Sequence, residues 1–550
     1  MLMEPASQSR ILRAPQGDGE KLIEPPLPSL PEVVVQNRRQ LAQIEYDVQG
    51  RSLADLSASA RLALVERATA YTREYRDVPD RWRRSASTAD VPFLLSGHQP
   101  QLFHPGVWYK NFVLGALGRR LNGVAVHLLI DSDLCRSASI RVPTGTLQQP
   151  RVEAVPYDQP TAEVPYEERG IRDFATLASF SVRVATLIRP LVREPLVESL
   201  WPLTLECNPE QSNLGLRLAQ GRHALEATWH SETLELPQSA VCQLPEFAWF
   251  VAHVLAHLPR FWSAYNDALA AYRRSHRQRS RAHPVPDLAE SDGWLEAPFW
   301  IWSADDPQRR PLLARQSGDE IVITDRQSRT IRLALSAERD ATMAVEQLQD
   351  LSRRGIKIRT RALTTTLFAR LVLSDLFLHG IGGAKYDQLT DQIAHKFFGF
   401  PLPEFAAVSA TLRLPIARRH DERSDERSCI ERLRELRFHP EQFIERNGPA
   451  AAEEFSRARD IIASKQHWIE SGKTPENARS RHRAIAAANE ALQPFVAHLR
   501  GQIERQCDEY QQRKRAEAIL RSRDYAFCLY PRWHFEKLLR DLPNVDHISG

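Results

Sequence analysis

Hydrophobic positions change period twice within residues 91–133, VPFLLSGHQPQLFHPGVWYKNFVLGALGRRLNGVAVHLLIDSD. Residues 91–95 are a short apolar run of the kind a buried strand carries, and SGHQPQLFHPG is punctuated as a loop by Gly97, Pro100, Pro105 and Gly106. Helical spacing then takes over through Val107, Phe112, Val113, Ala116, Leu117 and Leu121, with Arg119 and Arg120 in the last turn, where cations complement the helix dipole. Asn122 and Gly123 end that helix, and a second apolar run, 124–130, closes on Asp131, Ser132 and Asp133. The pattern predicts one βαβ unit of a parallel sheet, whose first loop lies at the carboxyl edge where ligands of such sheets bind. Ser96, Gly97, His98, Gln99 and His104 crowd that loop, and Asp131 and Asp133 leave the second strand at the same edge. We therefore read His98, Gln99, His104, Asp131 and Asp133 as candidate catalytic groups; the competing reading gives them to turns, caps and a solvated strand end.

Elsewhere the pattern is simpler. Residues 1 to about 35, with PPLPSLPE, predict an extended arm, and 34–75 predict helix. Residues 136–168 alternate between prolines as antiparallel strands do. Helical rhythm marks 174–200, 214–229 and 245–274, the last kinked at Pro259. Connecting α+β segments thus occupy about 136–300 within a core of 36–420. Residues 295–325 predict strands with turns and place Glu296 beside Phe299, Trp300 and Trp302, either as a substrate contact or as a partner of Arg310. Residues 364–377 predict an apolar helix, followed by a loop in which Gly380, Gly382 and Gly383 allow close backbone approach to an anion and Lys385 adds a point charge. From 421 to 523 the composition shifts to Arg, Glu, Ala and Gln, and two long helical segments flank SGKTPE, predicting an antiparallel coiled-coil hairpin. Residues 524–550 return to the core through an apolar strand at 525–530 and a short helix.

Charge and cysteine usage narrow the function classes. The net charge is +4 over 550 residues, which implies no strong pull toward nucleic acid or a membrane surface. The densest basic run, RRSHRQRSRAH at 273–283, lacks aromatic interleaving and reads as a solvated turn that helps hold a small anion. No apolar stretch is long enough to cross a bilayer, and the start has no secretory pattern. The six cysteines are widely spread, which fits reduced thiols in a cytoplasmic protein and names no metal site. Neither GxxxxGK[ST] nor GxGxxG occurs.

Three stretches resemble the bacillithiol synthase family, the cysteine-adding enzymes of low-molecular-weight thiol biosynthesis. SGHQPQLF resembles the family's strand-ending Gly-Gln-Gln-Pro-Gly-Leu loop, and HLLIDSD its next strand, which ends in Glu-Asp-His-Asp. IGGAKYDQLT, preceded by Arg361, resembles its later Ile-Gly-Gly and Tyr segment. Order and spacing agree across most of 90–530. His98 replaces the first family glutamine while Gln99 keeps the second, the acidic cluster is reduced to Asp131, Ser132 and Asp133, and the glycine loop is shorter, with Lys385 near the missing Gly-Glu.

The resemblance implies an α/β fold with a Rossmann-like parallel-sheet core, inserted connecting segments and a C-terminal coiled-coil hairpin that makes a homodimer. It implies a ligase that joins cysteine to a glucosaminyl malate, a small-molecule reaction. With ATP and magnesium, a carboxylate is activated and an amine attacks it. His98, His104 and the helix N–H groups near Gly106 then stabilise phosphate, Asp131 and Asp133 hold magnesium or orient the amine, and Lys110 or Lys385 neutralises charge. Ser96, Gly97, Lys110, Glu296, Arg361, Gly382, Gly383, Lys385 and Tyr386 form the expected substrate or nucleotide contacts. Two other readings stay open: a transferase or hydrolase that uses no nucleotide, and a non-catalytic dimeric interaction protein on a degenerate ligase core.

Overall fold

The computed structural model describes residues 12–78, 91–278, 280, 285–416, 426–444 and 452–542. The βαβ unit forms where the periodicity places it, as strand Phe93–His98, helix Pro105–Arg120 and strand Val124–Leu129. The two strands are parallel, in register from Phe93↔Val124 to His98↔Leu129. Every residue of Val124–Leu129 is buried, as expected of a strand covered on both faces. The helix is buried on nearly all sides: its Trp108 ring stacks on Phe535 at 4.2 Å and meets Phe527 at 4.2 Å and Trp229 at 5.5 Å.

These strands are the centre of a mixed six-stranded sheet, ordered Lys21–Glu24, Ala406–Ala410, Leu376–His379, Phe93–His98, Val124–Leu129, Leu234–Pro237. Five are parallel, and Lys21–Glu24 runs antiparallel on one edge. From Phe93–His98 the chain moves outward to Leu234–Pro237, then crosses to the other side of its first strand. Strand order therefore reverses between Phe93–His98 and Leu376–His379, the position at which ligands of open α/β sheets bind. The protein is a mixed α/β chain, with a second, antiparallel sheet over residues 294–360 whose strand Trp294–Ser303 pairs with Asp306–Ser317 and Ile356–Thr360.

Asp375 fixes the two strands at the reversal. Its N–H donates to the Phe93 carbonyl at 2.8 Å, and its carboxylate accepts the Phe93 N–H at 2.8 Å. Arg61 neutralises it at 2.9 Å, and Asn37 donates to its carbonyl at 2.7 Å.

Several expectations are corrected. The arm at 12–35 is not wholly extended: Lys21–Glu24 pairs with Ala406–Ala410, which satisfies an exposed sheet edge, and Leu30 opens a helix. Residues 1–11 lie outside the described residues. The helix expected over 364–377 ends at Phe368, widens into a π-helical turn, and gives way to strand Leu376–His379, because continuous burial hides the change of period. Gly380 caps the helix Ile381–Phe398, so Gly382 and Gly383 are its first turn rather than a loop. Residues 525–530 form a 3-10 turn at Phe527–Leu529, not a strand; the apolar side chains pack in the core without a ladder. Pro259 acts as expected, with the chain breaking at His257 between helices Pro245–Ala256 and Leu258–Ser275. In the basic run, Arg273 lies in the last turn of the second of these helices and pairs with Asp287 at 2.7 Å; positions 279 and 281–284 lie outside the described residues.

Contacts divide the chain into two compact units, one drawn from 1–144, 152–415 and 522–550, the other from 145–151 and 416–521. In the second, helices Glu426–Phe438 and Ala452–Glu470 each pack on the long helix Ala478–Leu520. Leu436, Ala458, Leu492, Val496 and Ile503 form its core. The SGKTPE break closes by reciprocal bonds between Thr474 and Asn477. Among the described residues no helix is long and apolar enough to cross a membrane.

Asp375→Ala is expected to lower unfolding free energy by about 3–5 kcal/mol, since it strands a buried N–H and the Arg61 charge. Denaturant titration checks this, and a loss under about 1 kcal/mol would show that the two strands align without the clamp.

Candidate functional site

Gln99, the first residue beyond strand Phe93–His98, crosses to the neighbouring strand end. Its Nε2 donates to Asp133 Oδ2 at 2.9 Å, and Asp133 Oδ1 accepts from the Leu134 N–H at 2.9 Å and from Arg309 Nη1 at 3.1 Å. Burial works against this carboxylate, but the bonds from Gln99, Leu134 and Arg309 outweigh it and hold its pKa below the ordinary value. Arg309 also lies over the Trp300 ring at 4.5 Å, and Arg361 lies over the same ring at 4.1 Å while pairing with Glu296. Four expected residues, Gln99, Asp133, Glu296 and Arg361, thus fall on one line of contacts joined by Arg309 and Trp300. Trp300 is visible beside Glu296, but Arg309 does not stand out in the sequence, because it is far along the chain from Asp133 and sits on an ordinary strand.

A cleft of about 260 Å³ opens beside Gln99 and Asp133, and Gln101, Arg136, Tyr157 and Tyr166 also line it. Its small volume and polar walls suit a compact, hydrogen-bonding ligand. The Tyr166 N–H donates to the Asp133 carbonyl at 2.9 Å, and the turn Tyr166–Glu168 is tied down by Arg359, which grips Glu167 at 2.9 Å through two nitrogens. Arg136 is exposed, and among the described residues no acid pairs with it. The cleft therefore carries one neutralised carboxylate and one open guanidinium, which together favour an anionic ligand group.

Other expected residues have different places. Asp131 is 1% exposed, and its two oxygens accept the Ser239 N–H at 2.9 Å and the Ser239 hydroxyl at 2.5 Å. Burial, then the nearby Glu167, raise its pKa to about 7, and it acts as a bracket between strand ends rather than a contact for substrate. Ser96 is fully buried and bonds His127 Nδ1 at 2.8 Å. Lys110, 1% exposed, donates to the Gly97 carbonyl at 2.7 Å, underneath the loop instead of toward a phosphate. Glu296 is spent on Arg361 and on the Ala289 N–H, so it is no substrate contact; Arg310, its expected alternative partner, holds Asp306 at 2.5 Å. His104 caps the helix Pro105–Arg120 by accepting the Gly106 N–H at 3.1 Å, and a side chain at Gly106 would run into the Ala410 carbonyl. That helix start is closed by protein groups, which removes the phosphate role expected there.

His98 stays at the mouth of the loop. Burial, then repulsion by Lys110, lower its pKa to about 3, so it is neutral at pH 7. Its Nδ1 faces the Gln99 carbonyl at 3.1 Å, which assigns the proton there and leaves Nε2 as an acceptor. Across the strand reversal, Gly382, Gly383, Lys385 and Tyr386 are all exposed on the first turns of helix Ile381–Phe398. Behind them His379, at the end of its strand, bonds Asp387 at 2.9 Å. Sequence reasoning misses this pair; its signal is a histidine immediately before the capping glycine and an acid eight residues on.

Magnesium does not fit Asp131 and Asp133, since all four carboxylate oxygens already accept hydrogen bonds from the protein. Among the described residues no group of three or more His, Cys, Asp or Glu is placed to hold a metal. No protein-family model and no curated protein matches the chain.

Burial, then repulsion from Arg222, lower the Lys110 pKa to about 7. The folded chain therefore binds fewer protons here than the unfolded chain between about pH 7 and 10, so this group's contribution to stability rises with pH across that window and its penalty is complete below pH 7. Lys110→Met is expected to raise the melting temperature at about pH 6 and to lose that advantage by about pH 10. Equal shifts at both pH values in paired thermal melts would show that Lys110 stays charged in the fold.

Proposed function

We propose that the chain is a bacillithiol-synthase-like ligase that joins an amino acid, cysteine in the family it resembles, to an amino-sugar conjugate. The observation that carries this reading is the Gln99–Asp133 bond at the mouth of a polar cleft, on the carboxyl edge of parallel strands beside the reversal of their order. Ligands of α/β sheets bind at that place. The finer architecture belongs to the same reading: a Rossmann-like core, and a coiled-coil hairpin that pairs two copies in the cytoplasm. Nucleic acid plays no part in it.

ATP supplies the activation of the carboxyl group. The chain's own groups hold the reactants. Gln99, pinned through its amide nitrogen, turns its Oε1 to accept a hydrogen bond from the amine; Arg136 takes an acid group of the ligand; and the neutral Nε2 of His98 accepts a further proton donor. Asp133 and Arg309 position Gln99 and need no metal to do so.

Incubating the full chain with cysteine, glucosaminyl malate, ATP and magnesium is expected to yield the amide, read by mass spectrometry, and to raise the melting temperature. His98→Ala and Asp133→Ala should lose both effects, and the unliganded stability of Asp133→Ala should fall by no more than about 1 kcal/mol, because Asp133 is 39% exposed and its ion pair is partly solvated. Absence of product together with no thermal response to any of the four compounds would end the ligase reading. Retention of both effects in both variants would move the site elsewhere.

A further inference from the structure

Asp387 is 1% exposed and lies on the second turn of helix Ile381–Phe398. Its Oδ2 receives Arg370 Nη1 at 2.6 Å and His379 Nε2 at 2.9 Å, and its Oδ1 receives the Thr366 hydroxyl at 2.6 Å. Arg370 pairs with this carboxylate and is shared with Asp391 at 2.7 Å. What Asp387 does for His379 is fix its proton on Nε2, since a carboxylate only accepts, which leaves a lone pair on Nδ1.

That second nitrogen is unpaired, in a ring that is 4% exposed. Among the described residues nothing hydrogen-bonds Nδ1, and a Cβ at Gly383 would lie 2.8 Å from it, so the glycine leaves room there. Phe377 at 4.5 Å and Phe405 at 5.1 Å hold the ring in place. The strand carrying His379 pairs with Phe93–His98 through Leu378↔Ser96, so His379 ends the strand next to the one that Gln99 follows, at the same carboxyl edge of the sheet.

We propose that His379, oriented by Asp387, is the proton acceptor at this edge of the sheet and takes the proton of the attacking amine; the role rests on the ligation reading above. As the amine nitrogen bonds to the acyl carbon, the bond from that carbon to the phosphate oxygen breaks with its electron pair. ATP is the source of that phosphate. The surplus proton on nitrogen passes to Nδ1 and then to water. A positioned base of this kind contributes about 100- to 10,000-fold in rate.

Two measurements on the full chain test this. The first needs no substrate: nitrogen NMR of ¹⁵N-histidine-labelled protein, with the His379 signal assigned by its loss in His379→Gln, is expected to show Nε2 protonated and Nδ1 bare, and Asp387→Asn should disturb that state. A protonated Nδ1 overturns the proposal. The second is turnover of cysteine with glucosaminyl malate. His379→Gln is expected to lower kcat about 100-fold or more with KM within about threefold, as a lost proton acceptor does. Gly383→Ala, whose Cβ would lie 2.8 Å from Nδ1 and so displace the ring, should lose turnover and shift the His379 nitrogen signals, and stands in for His379→Gln if that variant unfolds. Full turnover in both variants overturns the proposal. If the wild-type chain makes no product, the ligation reading fails by itself, and the NMR state still decides for or against the dyad.

Discussion

A single buried carboxylate sets the geometry of this protein. Asp375 exchanges two hydrogen bonds with Phe93, one from its backbone and one from its side chain, and so locks the starts of the two strands between which strand order reverses. Because the strand ends are a fixed rise per residue from that lock, the positions of Gln99 and His379 at the far edge follow from it. Arg61 makes the arrangement stable to burial, since an unpaired carboxylate in this place would carry a desolvation cost of about several kcal/mol.

Much of the fold is readable along the chain where burial is one-sided or punctuated. Glycine, proline and two changes of period mark the βαβ unit at 91–133, and it forms as those marks require. Reading fails where burial is nearly complete. Residues 362–379 are mostly apolar and almost all buried, so helix, widened turn and strand share one composition and no period separates them. The glycines that follow resemble a loop for the same reason: a strand-to-helix junction with a glycine cap has no polar linker to announce it. Residues 525–530 show the reverse error, an apolar run that fills the core as a turn and pairs with no strand of either sheet.

The site divides along a similar line. Gln99 and Asp133 are visible because each closes an element, and the structure joins them. Asp131 is visible too, but two residues nearer the strand it is turned inward, and Ser239 consumes its carboxylate. Lys110 and Ser96 mislead because polarity in a sequence does not say which side of a loop a side chain takes. Arg309 and Arg136 are beyond reach, since what makes them matter is proximity created by folding and not any local spacing. The dyad of His379 and Asp387 lies between these cases: both residues fall within one strand-to-helix unit, and the capping glycine between them is a legible mark.

One consequence concerns how the chain comes off the ribosome. Strand Phe93–His98 must wait for Leu376–His379, roughly 280 residues later, before its inner edge is covered. At translation speeds of about 5–20 residues per second, that edge stays bare for tens of seconds, with Phe93, Leu94 and Leu95 next to open backbone groups. A bare strand edge is a template for pairing with another chain, so a fragment ending before residue 376 would keep that template exposed.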